Sequence, residues 1–501
     1  MHFFRAISCS VLLVFLPTFI IAQENKAIPR FEKAECAIPV PQNEKKAECG
    51  YLVVRENRTI KNSKTIRLPV AILKSDAENP KKDPVLRMLG GPGASSLKLI
   101  SGRNSSPWLR NRDMIILEQR GTQYAQPALD CPEVKEAKIA GVKQRLSEAD
   151  AGKRELEAVK LCRDRLAASG IDLSAYNSAE SAADIEDLRL SLKIDKLNLY
   201  GLSYSVRLML EVARDYPAGV RSLVLESNLV PEINYDEVGV DGVVRSLDLL
   251  FTRCAADVEC AKTFPGLEKE FYQAVKKANL EPIAMDAKDA KTSETFKIYL
   301  TGNDLVTWVL DSLLSGDAVP ITYAPMLIHR AADGDFKLRP LQNYANDKLS
   351  PSSYSAGMRY SVWCREEFPF ENFKKITEQE KKYPGLKGYR IQSLPYICGT
   401  WNIPAANKIE NRAIKSDIPA LILQSEYDPY TLPAWGKQTA KNLKNSHYVE
   451  FPWLGHGPAF YEPCIQQMIA DFFDDPAATP KSSCADQIRQ KYKFVTAAPK
   501  R

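Results

Sequence analysis

Residues 197–225 constrain the fold most, because the pattern changes type three times within them. Leu197-Asn198-Leu199-Tyr200 is a largely apolar run of strand type. Gly201-Leu202-Ser203-Tyr204-Ser205 follows as a turn, and the residues to Tyr216 are helical in character, stopped by Pro217. Leu223-Val224-Leu225 is a second short apolar run. Strands this apolar need cover on both faces, and a mainly parallel sheet with crossover helices supplies it.

The same alternation extends in both directions. Upstream, Tyr51–Val54, Leu68–Leu73, Val85–Leu89 and Met114–Leu117 read as strands, and residues 179–193 as a helix with Ala182, Ile185, Leu188 and Leu192 on one face. From about 231 to 410 apolar β runs become few, and helical stretches appear at 239–252, 266–278 and 303–315. Near 418 the strand pattern resumes with Pro419–Leu423 and His447–Phe451. The expected organisation is an α/β core over 23–230 and 411–501, split by an inserted, mostly helical lid over 231–410. The charged tail after Cys484 is expected to be peripheral.

Ser203, flanked by Gly201 and set between a strand and a helix, occupies the place of a nucleophile on a tight elbow. The helix behind it aims backbone N–H groups and a positive dipole end at a developing oxyanion. Gly90-Gly91-Pro92-Gly93 ends an earlier strand, and its glycines let backbone N–H groups approach a substrate oxygen. Asp428 follows the strand ending at Leu423, and His456 lies between Gly455 and Gly457 after the strand ending at Phe451. A serine hydroxyl needs a base to take its proton, and the base needs a carboxylate to fix its tautomer. The order Ser203, Asp428, His456 supplies all three. Glu426 competes for the acid role. His447, inside a strand, and His329, in the insertion, read as structural.

Four histidines in the whole chain, His2, His329, His447 and His456, leave no HExxH and no i, i+4 pair. Histidine-based metal hydrolysis is therefore not expected, and no cofactor is implied. The net charge of +6 is spread along the chain without a basic tract, so nucleic acid is not an expected partner. Residues 1–22 read as a secretory signal peptide, with Arg5 ahead of an apolar run and cleavage after Ala22. No later stretch is apolar enough to span a membrane, so a secreted or periplasmic location is expected. Removing Cys9 leaves ten cysteines, and neighbours in sequence suggest Cys36–Cys49, Cys131–Cys162, Cys254–Cys260, Cys364–Cys398 and Cys464–Cys484.

Leu89–Ser95, Glu118–Thr122, Asn198–Leu208, Ala182–Arg189, Gly219–Leu225, Cys364 and the Asp428 and His456 blocks together resemble the proline iminopeptidase and tripeptidyl aminopeptidase branch of the α/β-hydrolases. The resemblance covers roughly residues 35–485, and its C-terminal part is similar to the tripeptidyl-aminopeptidase-type segment. It implies an α/β-hydrolase core with a helical lid, Ser203 as nucleophile, Asp428 as orienting acid and His456 as base. It further implies an oxyanion hole from the N–H groups of Gly91 and Tyr204. Three positions depart from the pattern: Leu89 stands for histidine, Ser205 for the last glycine of G-x-S-x-G, and Glu118 for aspartate.

An aminopeptidase of this branch needs an anion for the substrate's α-ammonium, and Glu366 and Glu367 in the insertion are the candidates. Trp363, Phe368 and Phe370 are candidates for a specificity pocket. The expected activity is an exported serine peptidase acting at peptide N-termini through an acyl-enzyme. A carboxylesterase or amidase uses the same triad, and a binding member of the fold without activity is the third reading.

Overall fold

The computed structural model describes residues 27–497 apart from 43, 45, 46, 102–105, 351–353, 387, 388, 390–393 and 482. The expected signal peptide lies outside the described residues.

One nine-stranded sheet organises the chain. Its strands are β1 (Arg30–Lys33), β2 (Ala47–Arg55), β3 (Thr65–Leu73), β4 (Lys81–Met88), β5 (Arg112–Leu117), β6 (Leu197–Leu202), β7 (Val220–Glu226), then β10 (Ala420–Ser425) and β11 (Ser446–Phe451), with β8 (Ile283–Lys288) and β9 (Thr295–Leu300) forming a separate antiparallel hairpin. The spatial order is β1-β2-β3-β5-β4-β6-β7-β10-β11. The first four strands in that order pair antiparallel, and every pair from β5 onward is parallel. β5 lies on one side of β4 and β6 on the other. The chain therefore reverses direction across the sheet at β4, and a crevice opens beyond the carboxyl ends of β4 and β6.

Register sets the heights of the loops that matter. Met88 pairs with Gly201, Leu202 with Glu226, Leu423 with Glu226, and Ser425 with Phe451. The segments after β4, β6, β7, β10 and β11 thus emerge at one edge.

Helices α1 (Pro132–Gln144), α2 (Glu148–Ala168) and α3 (Ser178–Ser191) lie between β5 and β6, and α4 (Tyr204–Asp215) follows β6. α4 is buried from Tyr204 to Ala213, as the central helix of the layer should be. The α1–α2 pair, tied by Cys131–Cys162, is an excursion that the strand pattern did not announce.

Between β7 and β10 run α5 (Gly239–Ala256), α6 (Val258–Thr263), α7 (Leu267–Leu280), α8 (Gly302–Leu314), α9 (Ala318–Ala332), α10 (Arg339–Asp347), α11 (Ala356–Glu366), α12 (Phe373–Lys382) and α13 (Leu394–Trp401). This part has its own apolar core, built on Leu247, Leu250, Phe271, Val306, Leu310 and Leu313. The β8–β9 hairpin is its one departure from helix among the described residues. Its alternation of exposed and buried positions rests on two strands of only six residues each, with apolar residues on both faces, so the pattern is too short to stand out from the helical stretches around it.

After β10 come α14 (Pro433–Asn442), α15 (Pro463–Asp474) and α16 (Ser483–Lys491). The segment beyond α16 is not peripheral as expected. Phe494 is buried against Trp453, with ring centroids 4.9 Å apart, and the Val495 N–H donates to Thr322 O on α9 at 3.0 Å. All five expected disulfides are formed, with Cα–Cα separations of 5.0–5.6 Å.

Candidate active site

Ser203 stands between β6 and α4 at φ 63°, ψ −125°, a left-handed conformation that costs a non-glycine residue about 1–3 kcal/mol. Its surroundings impose it. The Ser203 N–H donates to Glu226 O at 2.9 Å, and Ser203 O accepts from Val206 N at 3.0 Å. Ser205 replaces the usual glycine and contributes a hydroxyl instead. Fully buried, its Oγ accepts from Leu202 N at 2.8 Å and lies 2.8 Å from Met88 O, stitching the elbow to the end of β4. Among the described residues no hydrogen bond engages the Ser203 hydroxyl.

The turn after β4 lies directly against this elbow. A Cβ on Gly90 would sit 2.7 Å from both Ser203 Cβ and Tyr204 N, so only glycine permits the approach. Gly91 follows at φ +121°. Among the described residues neither the Gly91 nor the Tyr204 backbone N–H donates a hydrogen bond. For Tyr204 the reason is general, since the first residue of a helix has no intrahelical acceptor. Two unpaired N–H groups beside a serine hydroxyl can receive an oxyanion.

Asp428 and His456 come together on the loops after β10 and β11. His456 Nδ1 lies 2.8 Å from Asp428 Oδ2, and the Thr431 hydroxyl donates to the same oxygen at 2.5 Å. Asp428 Oδ1 accepts from the N–H groups of Tyr430 and Thr431, both at 2.9 Å. Asp428 is fully buried. Burial opposes its ionisation, but the His456 charge and these donors hold it below the usual carboxylate range. Burial likewise disfavours charge on His456, while Asp428 outweighs it and raises the imidazole above its ordinary value. Glu426 is not the partner; it pairs with Arg253 on α5. His329 pairs with Glu270 on α7 at 2.9 Å, and His447 lies within β11.

Several residues that position His456 carry no sequence signal. The loop's N–H groups at Gly457 and Ala459 donate to Ser227 Oγ (3.1 Å) and Glu226 Oε1 (2.8 Å), both at the end of β7. From the opposite side, Gly455 N and His456 N donate to Ser315 O (2.9 Å) and Leu314 O (2.7 Å) at the end of α8. Pairings over such separations leave no local pattern.

Glu118, where aspartate is usual, accepts from Ser95 Oγ (2.9 Å), Leu97 N and Tyr124 N, and so fastens the loop after β4 to the turn after β5. Burial raises its pKa against those donors. Leu89 donates its N–H to Ser96 Oγ at 3.1 Å.

The structure corrects the reading of Glu366 and Glu367. Both are buried, at 0% and 1% exposure. Glu366 accepts from Ser178 N (2.6 Å) and Ser178 Oγ (2.5 Å), and Arg207 Nε of α4 stands 3.4 Å away. Glu367 pairs with Arg207 and accepts from Tyr235 N. Arg207, a buried cation on the helix behind Ser203, draws both carboxylates inward and leaves neither open to a substrate ammonium. Trp363 is also buried, with Nε1 donating to Asp236 Oδ2 at 3.1 Å, while Phe368 and Phe370 are half-buried.

Asp311 on α8 went unread in the sequence. It is exposed, and among the described residues no hydrogen bond or ion pair engages it. Burial nevertheless pushes its pKa up to about 6, with the Asp347 charge adding to it. Asp311 stands about one turn before Leu314, whose carbonyl accepts from His456 N, and its charge acts on Tyr430, two residues past Asp428. Among the described residues no group of His, Cys, Asp and Glu has the arrangement to hold a metal ion.

Comparisons with known proteins show which chains this one is similar to. Residues 386–492 match the family described as TAP-like protein. The chain is 26% identical over 464 residues to the tripeptidyl aminopeptidase of Streptomyces lividans, covering 85% of this chain and 81% of that one. The chain has the α/β-hydrolase fold and is similar to the tripeptidyl aminopeptidase branch. The hydrolase is also 20% identical over 471 residues to serine protease Hip1 of Mycobacterium tuberculosis, with 87% of each chain covered. Among solved structures it is similar to the proline iminopeptidase of Mycobacterium smegmatis, at 12% identity and a TM-score of 0.40, covering 85% of this hydrolase and 98% of that chain. With strands ordered as above and a serine elbow after β6, it is a serine hydrolase.

Proposed function

We propose that the protein is an exported serine peptidase that releases residues or short peptides from the N-terminus of peptide substrates. The observation that carries the reading is the assembly at one sheet edge of the Ser203 hydroxyl and two N–H groups, all without hydrogen-bond partners among the described residues, with a buried Asp428–His456 pair. The curated relatives, a serine protease and tripeptidyl aminopeptidases, support the peptide class of substrate.

The chemistry follows from the groups present. His456 Nε2 takes the Ser203 proton as Oγ attacks the scissile carbonyl, and Asp428 stabilises the imidazolium. The Gly91 and Tyr204 N–H groups receive the oxyanion. Collapse of the adduct breaks the C–N bond, His456 protonates the leaving amine, and the acyl group stays on Ser203. Water, deprotonated by His456, then releases the acid and restores the serine. Asp311, an exposed carboxylate one turn before Leu314 with no hydrogen-bond or ion-pair partner among the described residues, is assigned to the substrate's α-ammonium. Residues 231–410 are assigned the role of a lid that presents Asp311 and helps hold His456.

The test is a comparison of aminoacyl and tripeptidyl anilides, their N-acetylated forms and short-chain nitrophenyl esters, with Ser203→Ala as control. Turnover of free-amine anilides well above the acetylated forms, lost in Ser203→Ala, is expected. Efficient ester hydrolysis with no anilide turnover would replace the peptidase reading by an esterase.

A further inference from the structure

The oxyanion turn is held from outside the core, by α11 of the insertion. At the start of α11 the Ser355 N–H donates to Gly93 O at 2.9 Å, and Arg359 Nη1 donates to Gly91 O at 2.9 Å. The Arg359 guanidinium lies 5.2 Å from the centroid of the Trp363 ring, and Trp363 is anchored in turn to Asp236. At its other end, α11 delivers Glu366 and Glu367 to Arg207 on α4. The Cys364–Cys398 bridge joins α11 to α13. One helix of the insertion therefore grips both sources of the anion-binding N–H groups, the turn after β4 and the helix after Ser203.

Gly91 needs such a grip more than Tyr204 does. Tyr204 is fixed by its place in α4 and by its phenol, which bonds Ser178 Oγ at 2.7 Å and Gln119 Nε2 at 3.3 Å. Gly91 has no side chain to anchor it, a positive φ and Gly90 before it, so the peptide plane that carries its N–H depends on outside contacts for its orientation. The turn's own hydrogen bond, Ala94 N to Gly90 O, is long at 3.3 Å.

We propose that Arg359 is the positioning residue of the oxyanion turn. By fixing the Gly91 carbonyl it fixes the far side of the Gly91 hinge, and so aims the Gly91 N–H at the substrate oxygen. The assignment rests on the serine peptidase reading above and makes anion binding depend on the insertion being docked. It also gives α11 a function that does not require Glu366 or Glu367 to meet substrate.

The experiment uses full-length Arg359→Met and Arg359→Lys, with wild-type protein alongside. Steady-state kinetics on a cleaved anilide are paired with inhibition by a peptide boronate, which loads the oxyanion site, and by a product peptide, which does not. Both variants are expected to lose about 10- to 100-fold in kcat with KM within about threefold, less than deletion of an oxyanion donor. Boronate affinity should fall in step with kcat while product affinity holds. A third full-length variant, Arg359→Ala, leaves room for the missing group, and added guanidinium ion should restore part of its rate. The lysine variant keeps the charge and most of the stem, so it remains informative if the methionine variant does not fold. Unchanged kcat and boronate affinity in a folded variant, or a rise in KM alone, overturns the assignment. Wild-type protein that no fluorophosphonate labels at Ser203 would instead remove the serine peptidase reading and this inference with it.

Discussion

Replacing Asp428 by asparagine tests the site's logic most sharply, because the orientation of the new amide is dictated by its neighbours. The carboxylate accepts from four donors: the Tyr430 and Thr431 N–H groups on Oδ1, His456 Nδ1 and the Thr431 hydroxyl on Oδ2. An asparagine has one accepting oxygen, and its NH2 must face one of these pairs. The backbone N–H groups cannot turn away, whereas a hydroxyl can rotate and an imidazole can change tautomer. The amide oxygen therefore takes the Oδ1 place and the NH2 faces His456 Nδ1. That holds the imidazole with its proton on Nε2, toward Ser203, where it cannot act as a base. The expected loss is about 10³- to 10⁴-fold in kcat, the scale of a triad forced into the wrong tautomer. The pH profile gives a second reading. In the wild type Asp428 raises the His456 pKa, so kcat/KM should climb with pH through a value above that of free histidine. In the variant the residual activity should have its acid limb at lower pH. The same linkage affects stability: the His456 contribution is full below the ordinary histidine pKa and is lost as pH rises through the raised value. The Asp428 contribution is present above the ordinary carboxylate range and is lost as pH falls through its lowered value. An asparagine variant within tenfold of wild type, or with an unmoved acid limb, would refute the reasoning.

Gly90→Ala places a Cβ 2.7 Å from Ser203 Cβ and Tyr204 N, and should lower kcat by about 10²-fold or more, as steady-state rates would show. Ser205→Ala strands the buried Leu202 N–H and should cost about 1–3 kcal/mol in denaturant unfolding, with fluorophosphonate labelling of Ser203 retained. Asp311→Asn should lower kcat/KM for free-amine peptides by about 10-fold or more and leave N-acetylated ones unchanged, so the gap between the two substrates narrows. Below a pH of about 6 the wild type should lose the same preference as Asp311 takes up its proton.

The core and the triad were legible because their signals are local. An apolar strand running into Gly201-Leu202-Ser203, or an aspartate and a histidine each just past a strand, can be read within a few residues. What was not legible depends on distant pairing. Glu226 and Ser227 end an apolar strand with no feature of their own, yet they hold the Gly457 and Ala459 N–H groups. Glu366 and Glu367 read as a solvated or substrate-facing pair because the buried cation that claims them, Arg207, lies far away in the sequence on another helix. The β8–β9 hairpin and the α1–α2 excursion escaped for a different reason. They bury a narrow strip each: the hairpin strands are six residues long with apolar residues on both faces, and α1 buries only Val134 and Gly141, so neither establishes a period.

These distant pairings place the insertion inside the catalytic geometry. The His456 loop is held on one side by β7 and on the other by the carbonyls that end α8. The Gly91 turn is held by Arg359 and Ser355 of α11. A cap that only screened the crevice could be trimmed at the cost of substrate selection alone. Here its removal would free the base and one oxyanion donor together, so the core of 23–230 and 411–501 should not survive as a smaller hydrolase. Partial loosening of α8 and α11 should lower kcat before it alters which peptides bind. That ordering of effects separates a lid that assembles the site from one that only covers it.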